Sequence, residues 1–331
     1  MAIGGRYRAR FQALPLQIAR QFIRCPPVQR HKGAPSAVAV GAPSSGNGPV
    51  SDPAVSIVIP TKNSASNLEA CLRSITCQSY DNIAIVVVDG QSTDATLKIA
   101  AAYKCAILQF DPHAPRGTFD APHRRNYGAS HCTTEFIYCV DADMELTPTV
   151  VSDAVALCRE GYDAVIVREE SFGVGIWARA KALERRCYWD DDTVEAPRFV
   201  TRQAWTAVGG LDEHLGGGGD DWDLYQSLLQ NGYRVGRTAS LVRHNEGHLQ
   251  LRRLARKRFM YGRDALRYIA KRPRAGLTSY FPIRAAYLRN WRLFAHCPVV
   301  ASFFVVMRTV EYAAGAAGII YSSVAAASRP R

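Results

Sequence analysis

The sequence predicts an α/β fold: a mostly parallel sheet with helices on both faces, followed by a C-terminal helical extension. Three observations lead there. Short runs of β-branched and other apolar residues alternate with segments of helical periodicity. The runs are continuously apolar, as expected of parallel strands covered on both faces. Asp89 and Asp141 follow directly on two of these runs, at the strand ends where open α/β sheets bind ligands.

Val55–Pro60 (VSIVIP) is a β-branched run closed by proline, hence a buried strand, and Thr61-Lys62-Asn63 is the loop after it. Across Ser66–Ser79, Leu68, Cys71, Leu72 and Ile75 fall at helical spacing, with Ser66 and Glu69 spaced as a capping box. Ile83–Val88 (IAIVVV) is a second strand, Asp89–Asp94 a turn, Ala95–Tyr103 a helix and Cys105–Phe110 a third strand. A loop over residues 111–122 and a helix over Arg124–Ser130 lead to a fourth strand, Phe136–Val140 (FIYCV). Asp141-Ala142-Asp143 closes that strand, and a later strand, Ser240–Arg243, ends at His244.

The chain has 331 residues, 47% of them apolar and 21% charged. That composition is globular and excludes a wholly disordered, collagenous or coiled-coil protein. Charge is unevenly spread. Residues 1–52 carry seven basic groups and one acid, and residues 251–331 carry sixteen and two. Residues 53–250 hold 18 basic and 26 acidic groups. An acidic body that handles cations, with basic ends that meet a polyanion, fits this distribution. Residues 1–53 read as a basic arm and linker, 54–248 as the catalytic domain and 249–331 as the extension. The first 30 residues lack the pattern of a signal peptide and form either a short amphipathic helix or a tail. The nine cysteines are odd in number and include no Cys-x-x-Cys pair, so scattered reduced thiols are expected.

Asp-x-Asp after a buried strand sets two carboxylates in one loop, a pair able to hold a hard divalent cation that in turn holds a diphosphate. In Gly219-Asp220-Asp221-Trp222-Asp223, a carboxylate within about 3 Å of a hydroxyl can take its proton as attack proceeds. Two adjacent acids can also raise one of their pKa values. An acidic helix N-terminus favoured by the macrodipole explains one such acid better than three. Gly216–Gly219 either closes over an acceptor or makes a permissive turn.

The segments VSIVIPTKN, VVVDGQSTDAT, RRNYGAS, FIYCVDADMEL, VGGLDE and GGDDWDLYQSLLQNGYRV occur in the order of a known pattern. From about Val55 to about His244 the chain resembles the family 2 glycosyltransferases of GT-A fold. The resemblance implies inverting transfer from a nucleotide diphosphate sugar with Mg²⁺ or Mn²⁺. It places Pro60, Thr61 and Asn63 in the nucleotide pocket, Asp89 at the nucleobase, and Arg125 and Asn126 near the sugar and diphosphate. Asp141 then contacts the ribose or donor sugar, and Asp143 and His244 meet the metal. Asp221 takes the position of the catalytic base, with Asp220 beside it where the family has Glu. Gly90 replaces a common second acid, and Asp94 closes its turn. Trp222, Phe199 and Arg202 are expected on the acceptor side, whereas Asp190–Asp192 read as a solvated acidic loop.

Leu249–Arg274 alternates basic and apolar residues as amphipathic helices do. Residues 298–307 and 312–328 are uncharged but each is shorter than the ~20 residues of a spanning helix. Joined, they would put Arg308 and Glu311 near a bilayer centre, which is costly, although the two can pair three residues apart. Two interfacial or re-entrant helices on an anionic membrane surface are therefore expected, giving a peripheral or monotopic enzyme at the cytoplasmic face of the cell membrane. The tail is also similar to membrane-associated members of the family. A glycan, lipid-linked or amphiphilic acceptor follows. A nucleotidyltransferase has no use for GDDWD or VGGLDE, and an acidic body repels nucleic acid, so no nucleic-acid partner is expected.

Overall fold

The computed structural model describes residues 52–111, 120–216, 219–281 and 284–327. The readings of residues 1–51, and of Gly217 and Gly218 in the glycine loop, lie outside these.

Eight strands form one sheet in the order β3-β2-β1-β4-β7-β6-β8-β5. They are β1 (Val55–Thr61), β2 (Ile83–Asp89), β3 (Ala106–Gln109), β4 (Phe136–Cys139), β5 (Met144–Leu146), β6 (Ala164–Val174), β7 (Phe199–Thr201) and β8 (Val235–His248). The four strands β3-β2-β1-β4 are all parallel, as the strand–helix alternation requires. Beyond β4 the sheet is mixed, because β7 runs antiparallel to both β4 and β6 while β6 and β8 are parallel.

Both faces are covered. Ile57 and Ile59 of β1 pack with Leu68, Cys71, Leu72 and Ile75 of α1 (Ala65–Thr76). Val58 of the same strand joins the opposite cluster, with Ala129 of α3 (Ala121–Ser130) and Leu224 and Leu228 of α7 (Gly219–Gln230). Each fully buried Val, Leu or Ile side chain is worth about 1.5–3 kcal/mol. The smaller helices α2 (Thr96–Ala102), α4 (Val150–Arg159) and α6 (Arg202–Val208) complete the two layers.

Helix α1 starts at Ala65 and the expected Ser66–Glu69 capping box does not form. Its first amides are satisfied from the neighbouring turn: Ala65 N donates to Asp94 Oδ2 (3.1 Å) and Ser64 N to Thr96 Oγ1 (2.8 Å). A tertiary partner has replaced the local cap.

Past β8 the chain forms α8 (Leu251–Lys271), α9 (Pro273–Tyr280), α10 (Ala285–Arg289), α11 (Trp291–His296) and α12 (Pro298–Ala327). The two short apolar helices expected here are instead one helix of 30 residues. Arg308 and Glu311 sit at its middle, buried against α8 and α5 (Ile176–Cys187). Glu311 is held by Arg258 of α8 (2.8 Å) and Lys181 of α5 (3.6 Å), and Arg308 by Glu184 of α5 (3.0 Å) and by Glu311 itself. With both charges paired inside protein, nothing forces a break between the apolar halves. Among the described residues the thiols of Cys71, Cys105, Cys132, Cys139, Cys158, Cys187 and Cys297 are free, as expected.

Candidate active site

The C-terminal ends of β1 and β2 are stitched together. Thr61 Oγ1 donates to Asp89 Oδ1 (3.0 Å), and Ser92 donates its backbone N–H (2.8 Å) and hydroxyl (2.6 Å) to the same carboxylate. Asn63, in the left-handed region at φ 51° that Asn tolerates, donates its N–H to Ser92 Oγ and accepts from Thr93 N, both at 2.8 Å. Pro60 is buried within β1. Pro60, Thr61, Asn63 and Asp89 thus form one cross-linked corner. Asp94 is structural, accepting from Ala65 and Thr96, and these hydrogen bonds lower its pKa.

The next helix supplies the cation. An added Cβ at Gly128 of α3 would lie 2.4 Å from Val58 Cγ1, so glycine lets the helix lie close on the sheet. Arg125 then reaches Asp141 after β4 (Nη2 to Oδ1, 2.6 Å) and the first turn of α7, with Nη1 3.2 Å from Asp220 Oδ2 and 3.4 Å from Asp221 Oδ1. Arg198, which the sequence did not single out, completes the ring: it donates to Asp141 Oδ2 (2.8 Å) and Asp221 Oδ2 (3.1 Å). Two guanidinium groups thereby bridge three carboxylates drawn from residues 141 to 221.

Burial and the neighbouring Asp221 push Asp220 up to about 7, against the pull of Arg125 and Arg198. Burial alone would raise Asp141 too, but Arg125 and Arg198 outweigh it and hold Asp141 well below the usual carboxylate range. The raised acid of the pair is therefore Asp220. Asp223 faces away, gripped by Lys271 (2.8 Å) at the end of α8 and by Arg272 (2.7 Å) just after it. So the macrodipole and a tether to α8 account for Asp223, and two of the three acids serve the site.

Pairing of β5 with β8 brings His244 beside Asp143. His244 Nε2 lies 3.4 Å from Asp143 Oδ2 and Nδ1 lies 3.4 Å from Glu169 Oε2. Burial would lower His244, but its bonds to these two acids raise it to about 10. Asp143 Oδ1 is buried without a partner. Among the described residues no group of three or more His, Cys, Asp or Glu side chains is placed to hold a metal. The orphaned carboxylate oxygen offers one ligand and the imidazole a second once a cation displaces its proton, which fits a cation whose other ligands come from a bound diphosphate.

A cavity of about 310 Å³ opens beside these groups, and Asp141, Asp220, Asp221 and Trp222 line it. Its far wall comes from α5, α8 and α12 and from Arg284. Trp222 donates Nε1–H to the Val194 carbonyl (2.9 Å) and packs on Tyr268 and Tyr280. Eight expected site residues, Asp143 among them, lie outside the lining of this cavity. Phe199 is fully buried, stacked on Phe136 and Tyr138 at 5.3 and 5.6 Å, because the short β7 turns it into the core. Arg202 donates to the Thr134 carbonyl (2.8 Å) at the start of α6. Asn126 spends its amide on Leu211 and Glu213, pinning the VGGLDE turn. Pro60, Thr61, Asn63 and Asp89 also lie outside the cavity lining, at their own corner. Glu169 in β6, Arg185 in α5 and Arg198 before β7 line it and were missed, since isolated charged residues carry no motif.

The sheet is of GT-A type, with carboxylates at the ends of β2 and β4 and in the first turn of α7. The model of glycosyl transferase family 2 matches residues 56–211, from β1 to the turn pinned by Asn126. The succinoglycan biosynthesis protein ExoA of Rhizobium meliloti (strain 1021) is 26% identical over 254 residues, 70% of this chain and 74% of that protein. A PGL/p-HBAD biosynthesis glycosyltransferase of Mycobacterium tuberculosis (strain ATCC 25618 / H37Rv) is 37% identical over 97 residues, 28% of this chain and 37% of that one. The matched stretch likewise spans only about a third of other curated relatives, 30% of one and 33% of another. In fold, the chain is similar to the mannosyltransferase PcManGT from Pyrobaculum calidifontis, solved with GDP-Man and Mn²⁺. The TM-score is 0.51 at 20% identity, over 85% of this chain and 77% of that one. Residues 56–211 are thus a family 2 glycosyltransferase domain.

Proposed function

We propose that the protein is a metal-dependent, inverting glycosyltransferase that moves a sugar from a nucleotide diphosphate sugar to a hydroxyl of an amphiphilic, lipid-linked acceptor at the inner face of the cell membrane. The observation that carries this reading is the convergence of Asp141, Asp220 and Asp221 on Arg125 and Arg198 at the mouth of the cavity.

The cross-linked corner of Thr61, Asn63 and Asp89 is rigid before the donor arrives, so it holds the nucleotide end at small entropic cost. Asp141 orients the ribose or donor sugar. Asp143 and His244 would hold Mg²⁺ or Mn²⁺, which when bound supplies positive charge against the leaving diphosphate. Asp221 is the more exposed acid of the pair, its side chain 17% accessible against 5% for Asp220. It takes the proton of the attacking hydroxyl. Attack from the face opposite the leaving group inverts the anomeric centre and needs one base. Asp220, raised to about 7 and pressed on Arg125, keeps the base's surroundings from carrying a second full negative charge at neutral pH.

The extension supports a membrane location. Helix α12 is long and apolar enough to cross a bilayer by length and composition, with 22% of its most apolar window buried. Its buried middle is tied to α5 and α8 by ion pairs, whereas Val299, Val305, Val306, Ile320 and Val324 are exposed. A helix fixed along its length with an open apolar face suits lying on a bilayer better than crossing it.

The test is a thermal-shift series with UDP, GDP, dTDP and CMP and their sugars, with and without Mn²⁺. A ligand that binds only the folded state raises the melting temperature. A metal-dependent rise with one nucleotide is expected. No rise with any of them, with or without anionic vesicles, would overturn the donor assignment.

A further inference from the structure

Among the described residues most of the cavity's basic side chains are ion-paired, and Lys257 and Arg284 are not. Arg125 and Arg198 pair with Asp141 and Asp221, and Arg185 with Glu169 (2.8 Å). Arg258 and Arg308 pair with Glu311, and Arg308 also with Glu184. Arg284 lines the same cavity and, among the described residues, has no carboxylate within ion-pair distance. Its Nη2 donates to the Ser279 carbonyl, and its guanidinium lies 5.5 Å from the centre of the Tyr188 ring. Its Nε and Nη1 are buried and without a hydrogen-bond partner.

A guanidinium with two idle buried donors is costly unless an anion completes it. A guanidinium suits the oxygens of phosphate, and each idle donor of Arg284 can give one charge-assisted hydrogen bond to them. The surroundings indicate what carries the phosphate. Arg284 follows α9 and opens α10, and Leu277 (64% exposed), Phe281, Leu288 (70%) and Trp291 stand exposed along this stretch. A cation at a cavity wall with an apolar surface outside it matches a molecule that is lipid on one side of a phosphate and sugar on the other.

We infer that Arg284 is an acceptor-binding residue: it seats the phosphate of a lipid-phosphate acceptor. The sugar then points into the cavity toward Asp221 and the lipid lies over α9 to α11. This rests on the transferase reading above and names the class of its acceptor. Lys257, whose Nζ lies 5.5 Å from the Tyr261 ring, lines the same cavity and adds to its positive field.

The experiment titrates the intact protein with farnesyl phosphate, farnesol and glucose 1-phosphate, reading tryptophan fluorescence because Trp222 lines the cavity. Farnesyl phosphate should bind more tightly than either other probe. Arg284→Gln should weaken it by at least about tenfold, the cost of a lost charge-assisted hydrogen bond. Arg284→Lys, which keeps the charge but not the fork, should fall between. Circular dichroism and the nucleotide-dependent thermal shift should stay unchanged in both variants. Equal binding of farnesol, or farnesyl phosphate binding indifferent to Arg284→Gln, would overturn the inference. Glucose 1-phosphate binding as tightly, with the same Arg284 dependence, would overturn the lipid and keep the phosphate site. A nucleotide shift missing from the wild-type protein would instead count against the transferase reading.

Discussion

Replacing Asp220 with Asn should make the protein less sensitive to pH. Burial and Asp221 push the Asp220 carboxyl up to about 7. In the unfolded chain an aspartate titrates near 3.9. Between those values the folded state holds a proton that the unfolded state has released, so rising pH favours unfolding. Above about 7 both states are ionised and the effect is complete. The side chain is only 5% exposed, so solvent screens little of it. From pH 5 to 7 the wild type loses about two units at roughly 1.4 kcal/mol each, near 3 kcal/mol. Asparagine does not titrate, so Asp220→Asn should gain about 3 kcal/mol on the wild type between pH 5 and pH 8. That corresponds to about 4 °C in melting temperature for a chain of this length. Groups that titrate alike in both proteins cancel in the difference. Denaturant titrations of both proteins at pH 5 and pH 8 measure it. A stability difference that stays constant across this range would refute the assignment of the raised acid to Asp220.

Three further outcomes follow from the geometry. Asp221→Asn should abolish sugar transfer while nucleotide-dependent thermal shifts persist, because the base acts on the acceptor; loss of donor binding would contradict that role. Asp143→Ala should weaken nucleotide binding in the presence of Mn²⁺ and leave metal-free binding alone, and isothermal titration that finds no change with Mn²⁺ would remove Asp143 from the metal site. Gly318→Val places a Cβ 2.1 Å from the Phe259 carbonyl oxygen of α8, a backbone atom that cannot swing aside. Helix α12 should then part from α8 and become open to limited proteolysis, and a wild-type cleavage pattern would show that the helices do not pack this closely.

What could be read from the sequence was what local chemistry determines. The runs at β1, β2 and β4 are apolar on both faces because both faces are covered, so their ends, with Asp89 and Asp141, could be located from composition alone. Leu68, Cys71, Leu72 and Ile75 were legible as the buried face of α1 by spacing. Arg198 was not, because its meaning lies in Asp141 and Asp221, 57 and 23 residues away. Asn126 was recognised and misplaced for a related reason: its partners, Leu211 and Glu213, lie more than eighty residues on, and they turn its amide to holding a loop.

The extension shows the same limit from the other side. An arginine and a glutamate inside an apolar stretch argue for a break when the stretch is judged against lipid. Judged against protein, they argue for continuity, since Lys181, Glu184 and Arg258 supply the opposite charges. Those partners belong to α5 and α8, which also wall the cavity. The residues that keep α12 in one piece therefore fix it to that wall, so a force on the outer face of α12 acts on the cavity through ion pairs rather than through a flexible tether.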